Sequence, residues 1–270
     1  MDWHLRKRIV QNWWPILLPL PLFCLPPYTS QGYPILEVGR VNAFILTHTI
    51  KSSFQSFYPV FKIIPLILVS SIFVFGNKTR RLFCLYAAIS YILFALFQSI
   101  SITEEYGLGI CSAHLALSSL VALFWFSEVK SNRNDFNPKK RPLLSYWTFV
   151  LALFAFWGPI HPLTGRPDFN PSYILTSGAG LAFCMMTPVY LALLIHYYPR
   201  VNLPILMVTG VIGLLYSLGN MSLAFILQSN YTWWVGVLHI PLLILSGYGL
   251  VTSVKSSQFL SHSHFLLSHF

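Results

Sequence analysis

The sequence predicts an all-α, polytopic transmembrane helical bundle of about eight spans, with both termini on the cytoplasmic side, on three observations. Of the 270 residues, 55% are hydrophobic and only 9% are charged, whereas an ordinary soluble domain is about 25% charged. The apolar residues come in runs of roughly 18–25, the length that a helix needs to cross about 30 Å of hydrocarbon. The basic residues alternate between two sets of loops, as the positive-inside rule requires.

The whole chain, residues 1–270, is predicted to form one transmembrane domain, because no segment is long and polar enough to fold separately. The apolar runs predict spans over residues 11–28, 60–75, 82–102, 108–127, 144–160, 171–196, 203–228 and 233–253. Residues 41–57 mix apolar and polar side chains, which indicates an interfacial helix or a helical extension into the second span. Pro188 is expected to kink the sixth span.

The first span is the least regular, because five prolines crowd it and interior prolines remove helical hydrogen bonds. Membrane helices accommodate proline where neighbouring groups satisfy the freed carbonyls. A basic start precedes the run, as in a signal peptide, but no small-residue cleavage site follows, so we expect a retained anchor. Seven spans is the alternative if this segment does not cross.

The loop charges predict the orientation. Of the 17 Lys and Arg residues, 13 fall in the segments predicted to be cytoplasmic, and four, Arg40, Lys51, Lys62 and Arg166, fall outside. The cytoplasmic set is Arg6, Lys7, Arg8, Lys78, Arg80, Arg81, Lys130, Arg133, Lys139, Lys140, Arg141, Arg200 and Lys255. We therefore expect a multi-pass protein of the plasma membrane.

Two function classes are disfavoured. The net charge of +10 does not indicate nucleic-acid binding, because the basic residues form no single face and sit in short loops. No Asp or Glu falls within a predicted span, since Glu104 and Glu105 lie at the outer end of the third span and Glu128 at the inner end of the fourth. Because ion-coupled pumps commonly use intramembrane carboxylates as relays, a carboxylate-coupled transporter is disfavoured.

Two histidines, His114 and His239, lie within predicted spans that run in the same direction. Each is six residues past the start of its span, which places both roughly 9 Å along the helix. Intramembrane ionisable residues are candidates for function, and imidazoles ligate haem iron or transition metals. His114 and His239 are therefore candidate ligand-binding or metal-binding residues. The alternative is that each packs in the bundle and bonds to a neighbour.

The loop before the sixth span, residues 159–171, is dense in proline and carries His161, Arg166 and Asp168. Stiff loops on a rigid scaffold often carry function, so these three are candidate ligand-binding residues. Glu104 and Glu105 are also candidate ligand-binding residues, because they are predicted on the same outer side as this loop and would line a polar vestibule with it. The alternative is that Arg166 and Asp168 only pair to close the loop.

Small residues recur every four positions in the sixth and seventh spans, which is typical of close helix packing. These residues are Thr176, Gly180 and Cys184, and Thr209, Gly213 and Ser217. Gln98 and Asn220 are polar residues within spans and are expected to bridge helices.

Three functional hypotheses follow. We favour transport or binding of a small molecule or ion through an outward-facing polar cavity. The first alternative is a membrane-embedded enzyme or redox subunit using His114 and His239. The second is a non-catalytic membrane subunit or scaffold. Catalytic residues are not identified, and an enzyme is the less favoured class. We expect no cofactor, with haem or a transition metal as the alternative, and as partners the lipid bilayer and a small-molecule ligand.

Overall fold

The computed structural model describes residues 14–138, 141–162, 164–226 and 232–267 and shows a mostly helical fold. By length and composition, helices able to cross a membrane are Ile50–Lys78, Arg80–Phe97, Ser112–Ser131, Leu203–Phe225 and Trp233–Val254. A sixth results if Tyr173–Leu181 and Phe183–Tyr197, which are bent by 97°, form one span. The described residues thus contain five or six helices of membrane length, where the sequence predicts eight spans.

The helices, in chain order, are α1 (Trp14–Phe23), α2 (Val38–Thr47), α3 (Tyr58–Phe75), α4 (Arg80–Phe97), α5 (Ser112–Ser131), α6 (Trp147–Trp157), α7 (Tyr173–Thr176), α8 (Phe183–Tyr197), α9 (Leu203–Ile226), α10 (Thr232–Leu238) and α11 (Ile240–Leu267). Short 3-10 segments precede α2 (Ile35–Glu37), α3 (Ile50–Phe57) and α6 (Leu143–Tyr146), follow α3 (Gly76–Lys78), and separate α7 from α8 (Gly178–Leu181). Three antiparallel strands, β1 (Tyr28–Thr29), β2 (Ile100–Thr103) and β3 (Gly107–Ile110), form a sheet in the order β1-β3-β2.

Helix α8 lies at the centre of the bundle, where it contacts α4, α6, α9 and α11. Most of its side chains are buried, as expected of a helix that is apolar on all sides. Two hydroxyl pairs join it to α4 inside the core. Ser90 Oγ lies 2.7 Å from Tyr190 OH, and Tyr91 OH lies 3.0 Å from Thr187 Oγ1. These bonds give α8 a fixed position and rotation relative to α4.

Glycines allow close approach at two helix contacts. A Cβ atom on Gly180 would lie 2.5 Å from the Phe61 carbonyl oxygen, so this segment packs directly against the main chain of α3. On α9, Gly210 and Gly213 face Ser246 of α11. Small residues at these positions let helix backbones approach one another.

The sixth predicted span is not one continuous helix. The chain turns at Ala182, where the backbone is extended (φ −122°, ψ 121°), and α8 begins at the next residue. Pro188, which was expected to kink the helix, lies within α8. The break falls instead where Gly178 and Gly180 approach the side chain of Tyr58 and the main chain of Phe61. Tertiary packing against α3 therefore places the bend.

The third and fourth predicted spans are wrong at their facing ends. Helix α4 ends at Phe97 and α5 begins at Ser112, and residues between them form the β2–β3 hairpin. Gly107, with φ +65°, lies at the turn, where glycine adopts a positive φ without steric cost. At its other end, α5 continues to Ser131, so Glu128 lies inside a helix of membrane length and is 1% exposed.

The other boundaries differ less. Residues 41–57 form the end of α2 and a separate 3-10 segment that leads into α3. Of the first predicted span, residues 11–13 lie outside the described part of the chain, and α1 covers only about 15 Å at 1.5 Å per residue. The fifth predicted span ends at Gly158 (φ +61°), a glycine in the left-handed conformation typical of a helix C-terminus.

The loops gather at two ends of the bundle. The hairpin end carries the β-sheet, the proline-rich loop at residues 158–172 and the start of α10, and there Trp234 Nε1 donates to the Pro159 carbonyl at 2.6 Å. The basic end carries the loops at residues 76–79, 132–138 and 198–202, which bond to one another. Arg80 donates to the Asn134 carbonyl, and Arg200 pairs with Asp135.

Candidate functional site

The two histidines predicted inside the membrane have separate partners. His114 Nδ1 lies 2.9 Å from Ser99 Oγ, and its ring stacks on Tyr216 with centroids 5.0 Å apart. His239 Nδ1 lies 2.7 Å from the carbonyl oxygen of Val235 in the preceding turn. No ring contact joins the two histidines among the described residues. Within the same residues, no group of three or more His, Cys, Asp and Glu is placed to hold a metal, so a haem or metal at these histidines stays a prediction.

The proline-rich loop is closed by its own bonds. His161 Nδ1 accepts the Thr164 N–H at 3.2 Å, and Asp168 accepts the Tyr173 hydroxyl at 2.6 Å. Arg166 is exposed, and its pairing with Asp168 stays a prediction. Asp168 therefore fastens the loop to α7.

Two tryptophans hold the same loop against the helices. Trp157 Nε1 donates to the Asn170 carbonyl at 2.9 Å, and Trp234 Nε1 donates to that of Pro159. The ring of Phe169 contacts both tryptophan rings, at centroid distances of 5.8 and 5.5 Å. The loop thus has a fixed shape, as the sequence predicts for a segment so rich in proline.

The two glutamates of the hairpin lie on the surface. Glu105 approaches Arg40 at 3.6 Å, with both side chains well exposed, and Arg40 also approaches Glu37 at 3.7 Å. Glu104 is exposed, and its backbone carbonyl accepts a bond from Gln31. Exposed ion pairs contribute little to stability, so these charges mainly shape the electrostatic field at the hairpin end.

A polar cluster surrounds the first turn of α8. We call it the helix-break cluster. Its members come from α5, α8, α9, the residues after α4 and the 3-10 segment before α3: Lys51, Gln98, Ser99, His114, Cys184, Tyr216 and Asn220. Gln98 Oε1 accepts the first N–H of α8, that of Phe183, at 2.7 Å. Asn220 Nδ2 lies 3.8 Å from Cys184 Sγ. The ring of Phe183 joins the two halves of the cluster, with its centroid 4.6 Å from that of Tyr216.

Lys51 supplies the charge of this cluster. It lies in the 3-10 segment before α3, close enough to Cys184 for the amino and thiol groups to interact electrostatically. Lys51, Gln98, Cys184 and Asn220 are only partly buried, although α8 is otherwise mostly buried. The helix break is therefore not fully enclosed by protein, and Lys51 places an amino group beside it.

The sequence indicated parts of this cluster but not its centre. His114 was predicted to be a candidate, and Gln98 and Asn220 were expected to bridge helices, as they do. Lys51 was assigned to an interfacial segment, because nothing in a single sequence shows which helix a long side chain reaches. Lys62, counted as an outer residue, is fully buried in α3. It donates to the Phe156 carbonyl at the end of α6, where a cation is favoured by the helix dipole.

A second buried network lies at the basic end. Glu128 accepts three bonds, from the Asn134 N–H at 2.6 Å, the Asn202 side chain at 2.7 Å and the Ser131 hydroxyl at 3.1 Å. Asn134 Oδ1 in turn accepts the N–H of Asn202 at 2.7 Å. Because Asn134 and Asn202 both donate to the carboxylate, the network connects the α5–α6 loop to the start of α9.

Asp135 extends this network to the surface. It accepts the Asn137 N–H at 3.0 Å, the Asn77 amide at 2.7 Å and the Arg200 guanidinium at 2.9 Å. The Asn137 bond, then those of Asn77 and Arg200, outweigh the effect of burial and lower the pKa of Asp135. Asp135 therefore stays ionised and links three loops of the basic end.

A cavity of about 140 Å³ opens between α6, α8 and α11 at the basic end. Its lining residues are Arg141, Ser145, Trp147, Ile195, His196, Tyr198, Tyr248 and Thr252. The sequence did not single out these positions, because they are separated by up to about a hundred residues and only the fold brings them together.

Comparisons with known proteins add no identification. No family model, no curated protein and no solved structure matches the chain. Function is therefore argued from the geometry of the helix-break cluster and of the basic end.

Proposed function

We propose that the protein binds a small anionic solute at the helix-break cluster and passes it across the membrane. The observation that carries this proposal is the position of Lys51, a cation that lies beside the first turn of a helix that starts inside the bundle. Half-helices whose N-termini face a solute at mid-membrane are typical of secondary transporters. The 97° bend between the two halves of the 173–197 segment is the corresponding feature here.

The electrostatics of the cluster favour an anion. A helix N-terminus carries a partial positive charge, which remains at α8 although Gln98 already accepts the first N–H of the helix, that of Phe183. Lys51 adds a full positive charge at the same place, and the cluster as defined contains no carboxylate. Gln98, His114 and Asn220 add neutral hydrogen-bonding groups, which orient a solute without changing its preferred charge. A small carboxylate or inorganic anion fits these properties best.

The proposal includes the topology of the chain. We propose eight crossings of the plasma membrane, with the basic end and both termini in the cytoplasm and the hairpin end outside. The alternation of basic loops supports this arrangement, as does the gathering of Arg80, Arg141 and Arg200 at one end of the bundle. In this orientation Lys51 is approached from outside, so the helix-break cluster is an outward-facing site.

The test measures how Cys184 reacts with charged thiol reagents. Replacing Cys24, Cys84 and Cys111 by alanine leaves Cys184 as the single cysteine of the chain. In vesicles of defined orientation, the rate of reaction with an anionic, sulfonate-bearing methanethiosulfonate is compared with that of its cationic, ammonium-bearing analogue. We expect reaction from the outer side with a preference for the anionic reagent.

Lys51→Gln is the decisive variant. Removing one charge beside the thiol should reduce the anionic-to-cationic rate ratio by about 5–10-fold, equivalent to about 1 kcal/mol at a partly solvated site. Arg40→Gln removes a charge from the same end of the bundle and is the matched control, for which we expect little change. The proposal fails if Cys184 reacts only from the inner side, or if both variants change the ratio equally.

Transport is tested separately from binding. Liposomes containing the full-length protein are assayed for uptake of labelled acetate, succinate and glutamate. Uptake of one of them that Lys51→Gln lowers and Arg40→Gln preserves supports a transporter. An anion preference at Cys184 without uptake of any of the three would restrict the function to binding.

A further inference from the structure

The cavity at the basic end lies apart from the helix-break cluster. Its walls are the first turn leading into α6, the last turn of α8 and the middle of α11. Its volume of about 140 Å³ is close to that of engineered protein cavities of about 150 Å³, which accept a benzene molecule of six heavy atoms. A single compact chemical group therefore fills it.

Two buried polar atoms at this cavity have no partner. His196 is 6% exposed, and its Nδ1 makes no hydrogen bond. The hydroxyl oxygen of Ser145 is also buried and makes none. Most buried polar atoms in proteins have a hydrogen-bond partner, and an atom without one calls for an explanation. Both atoms belong to residues that line the same cavity, so a ligand with several hydrogen-bonding atoms would satisfy both.

The imidazole of His196 cannot easily turn away to find another partner. Aromatic rings surround it, at centroid distances of 4.8–5.8 Å, on four residues: Phe73, Tyr146, Phe149 and Tyr197. This surround fixes the direction of Nδ1, which makes the side chain a preorganised contact for a ligand.

The charge of the lining selects an anion. Arg141 lines the cavity, and one of its terminal nitrogens donates to the Tyr198 carbonyl at 2.6 Å. A guanidinium has five N–H donors, so further donors remain for a ligand. The lining residues include no Asp or Glu. Arginine recognises phosphate oxygens in a paired geometry, and the Ser145 hydroxyl and one imidazole N–H of His196 can add two more donors.

We infer that this cavity binds a phosphate group through Arg141, Ser145 and His196. Phosphate has five heavy atoms and several acceptor oxygens, so it matches both the volume and the number of donors. The rings of Trp147 and Tyr248 also line the cavity and meet edge to face, with centroids 5.4 Å apart. Such rings commonly lie at the level of lipid headgroups. A phospholipid headgroup and inorganic phosphate are therefore the two sources of the group.

The experiment uses the full-length protein, delipidated in a non-ionic detergent. Its thermal unfolding midpoint is measured while phosphatidylglycerol, diacylglycerol or inorganic phosphate is added in turn. Diacylglycerol has the same acyl chains as phosphatidylglycerol but no phosphate, so it is the matched control for the lipid tails. We expect phosphatidylglycerol or inorganic phosphate to raise the midpoint, and diacylglycerol to leave it unchanged.

Variants of the lining locate the binding. Arg141→Gln should raise the half-saturating ligand concentration about 10-fold, and Ser145→Ala about 3-fold, since a charge-assisted hydrogen bond contributes more than a neutral one. Arg133→Gln removes an exposed charge from the same end of the bundle and should have no effect. If Arg141→Gln does not fold, Ser145→Ala and Arg141→Lys provide the same comparison.

The possible outcomes distinguish a lipid headgroup from inorganic phosphate, and some of them would contradict the inference. A stabilisation by phosphatidylglycerol alone that Arg141→Gln weakens supports a lipid headgroup. The same dependence with inorganic phosphate supports a soluble anion. The inference is overturned if diacylglycerol stabilises as well as phosphatidylglycerol, if Arg133→Gln and Arg141→Gln have equal effects, or if neither phosphate compound shifts the midpoint.

Discussion

Replacement of Glu128 tests whether the buried network holds the basic end together. The carboxylate accepts bonds from the Asn134 N–H and the Asn202 amide at 2.6 and 2.7 Å. Glu128→Ala leaves both donors buried and unpaired, at a cost of about 1–3 kcal/mol each. It also removes the desolvation cost of a buried carboxylate. We therefore expect a loss of about 2–4 kcal/mol in the free energy of unfolding.

A conservative replacement should cost less. Glu128→Gln keeps one oxygen for the Asn134 N–H, and the Asn202 amide can turn over because its own oxygen has no partner. Only the charge assistance of the bonds is then lost, which we estimate at about 1–2 kcal/mol. Glu104→Ala removes an exposed carboxylate at the opposite end and should change the free energy by less than about 0.5 kcal/mol.

The assay is equilibrium unfolding of the purified variants in mixed micelles of dodecyl sulfate and a non-ionic detergent, followed by tryptophan fluorescence. The expected order of destabilisation is Glu128→Ala, then Glu128→Gln, then Glu104→Ala. A loss below about 1 kcal/mol for Glu128→Ala would refute the calculation, since two unpaired buried donors alone exceed that value. Equal losses for the two Glu128 variants would show that the charge alone matters, not the unpaired donors.

Three further predictions follow from the contacts. The folded-state pKa of Asp135 is lowered, so its contribution to stability is present above the unfolded pKa of about 3.9 and is lost as pH falls through the folded pKa. The difference in the free energy of unfolding between the protein and Asp135→Asn should therefore shrink on acidification from pH 6. A difference that stays constant with pH would contradict this. Trp234→Phe removes the hydrogen bond that holds the proline-rich loop, and it should lower the free energy of chemical unfolding by about 1 kcal/mol. The Trp233 side chain is exposed, so Trp233→Phe should leave this free energy unchanged. Gly180→Ala should lower the melting temperature, because overpacking costs about 1–3 kcal/mol in the free energy of unfolding. Gly39 has open space around it, so Gly39→Ala should not lower the melting temperature. Equal effects of the two variants would contradict the steric explanation.

Hydrophobic runs indicated the five or six helices of membrane length among the described residues, because each long apolar segment must be covered by protein or lipid, but the predicted count of eight spans is not confirmed. They located helix ends poorly. Residues Ile100–Thr103 alternate in polarity and Gly107 permits a turn, which together indicate a hairpin, but averaging over a membrane-length window hides such a short pattern. The break at Ala182 has no comparable local pattern. It depends on the close approach of Gly180 to Phe61, which only the folded chain shows.

Among the site residues, too, a single sequence indicates some positions, whereas others are brought together only by the fold. His114 was predicted from its position in a span, and it does lie in a polar cluster, next to Ser99. The juxtaposition of Lys51 with Cys184 required knowledge of which helices are neighbours. The lining of the phosphate cavity combines Arg141 and His196, 55 positions apart in the numbering, and no single-sequence pattern relates them.

The central position of α8 constrains how the chain is assembled during synthesis. Its neighbours α4 and α6 precede it, but α9 and α11 follow it. While the ribosome is still making α9, α10 and α11, one side of α8 has no protein partner. The helix has 15 residues, about 22 Å at 1.5 Å per residue, which is too short to cross about 30 Å of hydrocarbon unaided. Helix α11 therefore completes the burial of a segment made before it, and truncations that remove α11 should leave a chain that the cell degrades.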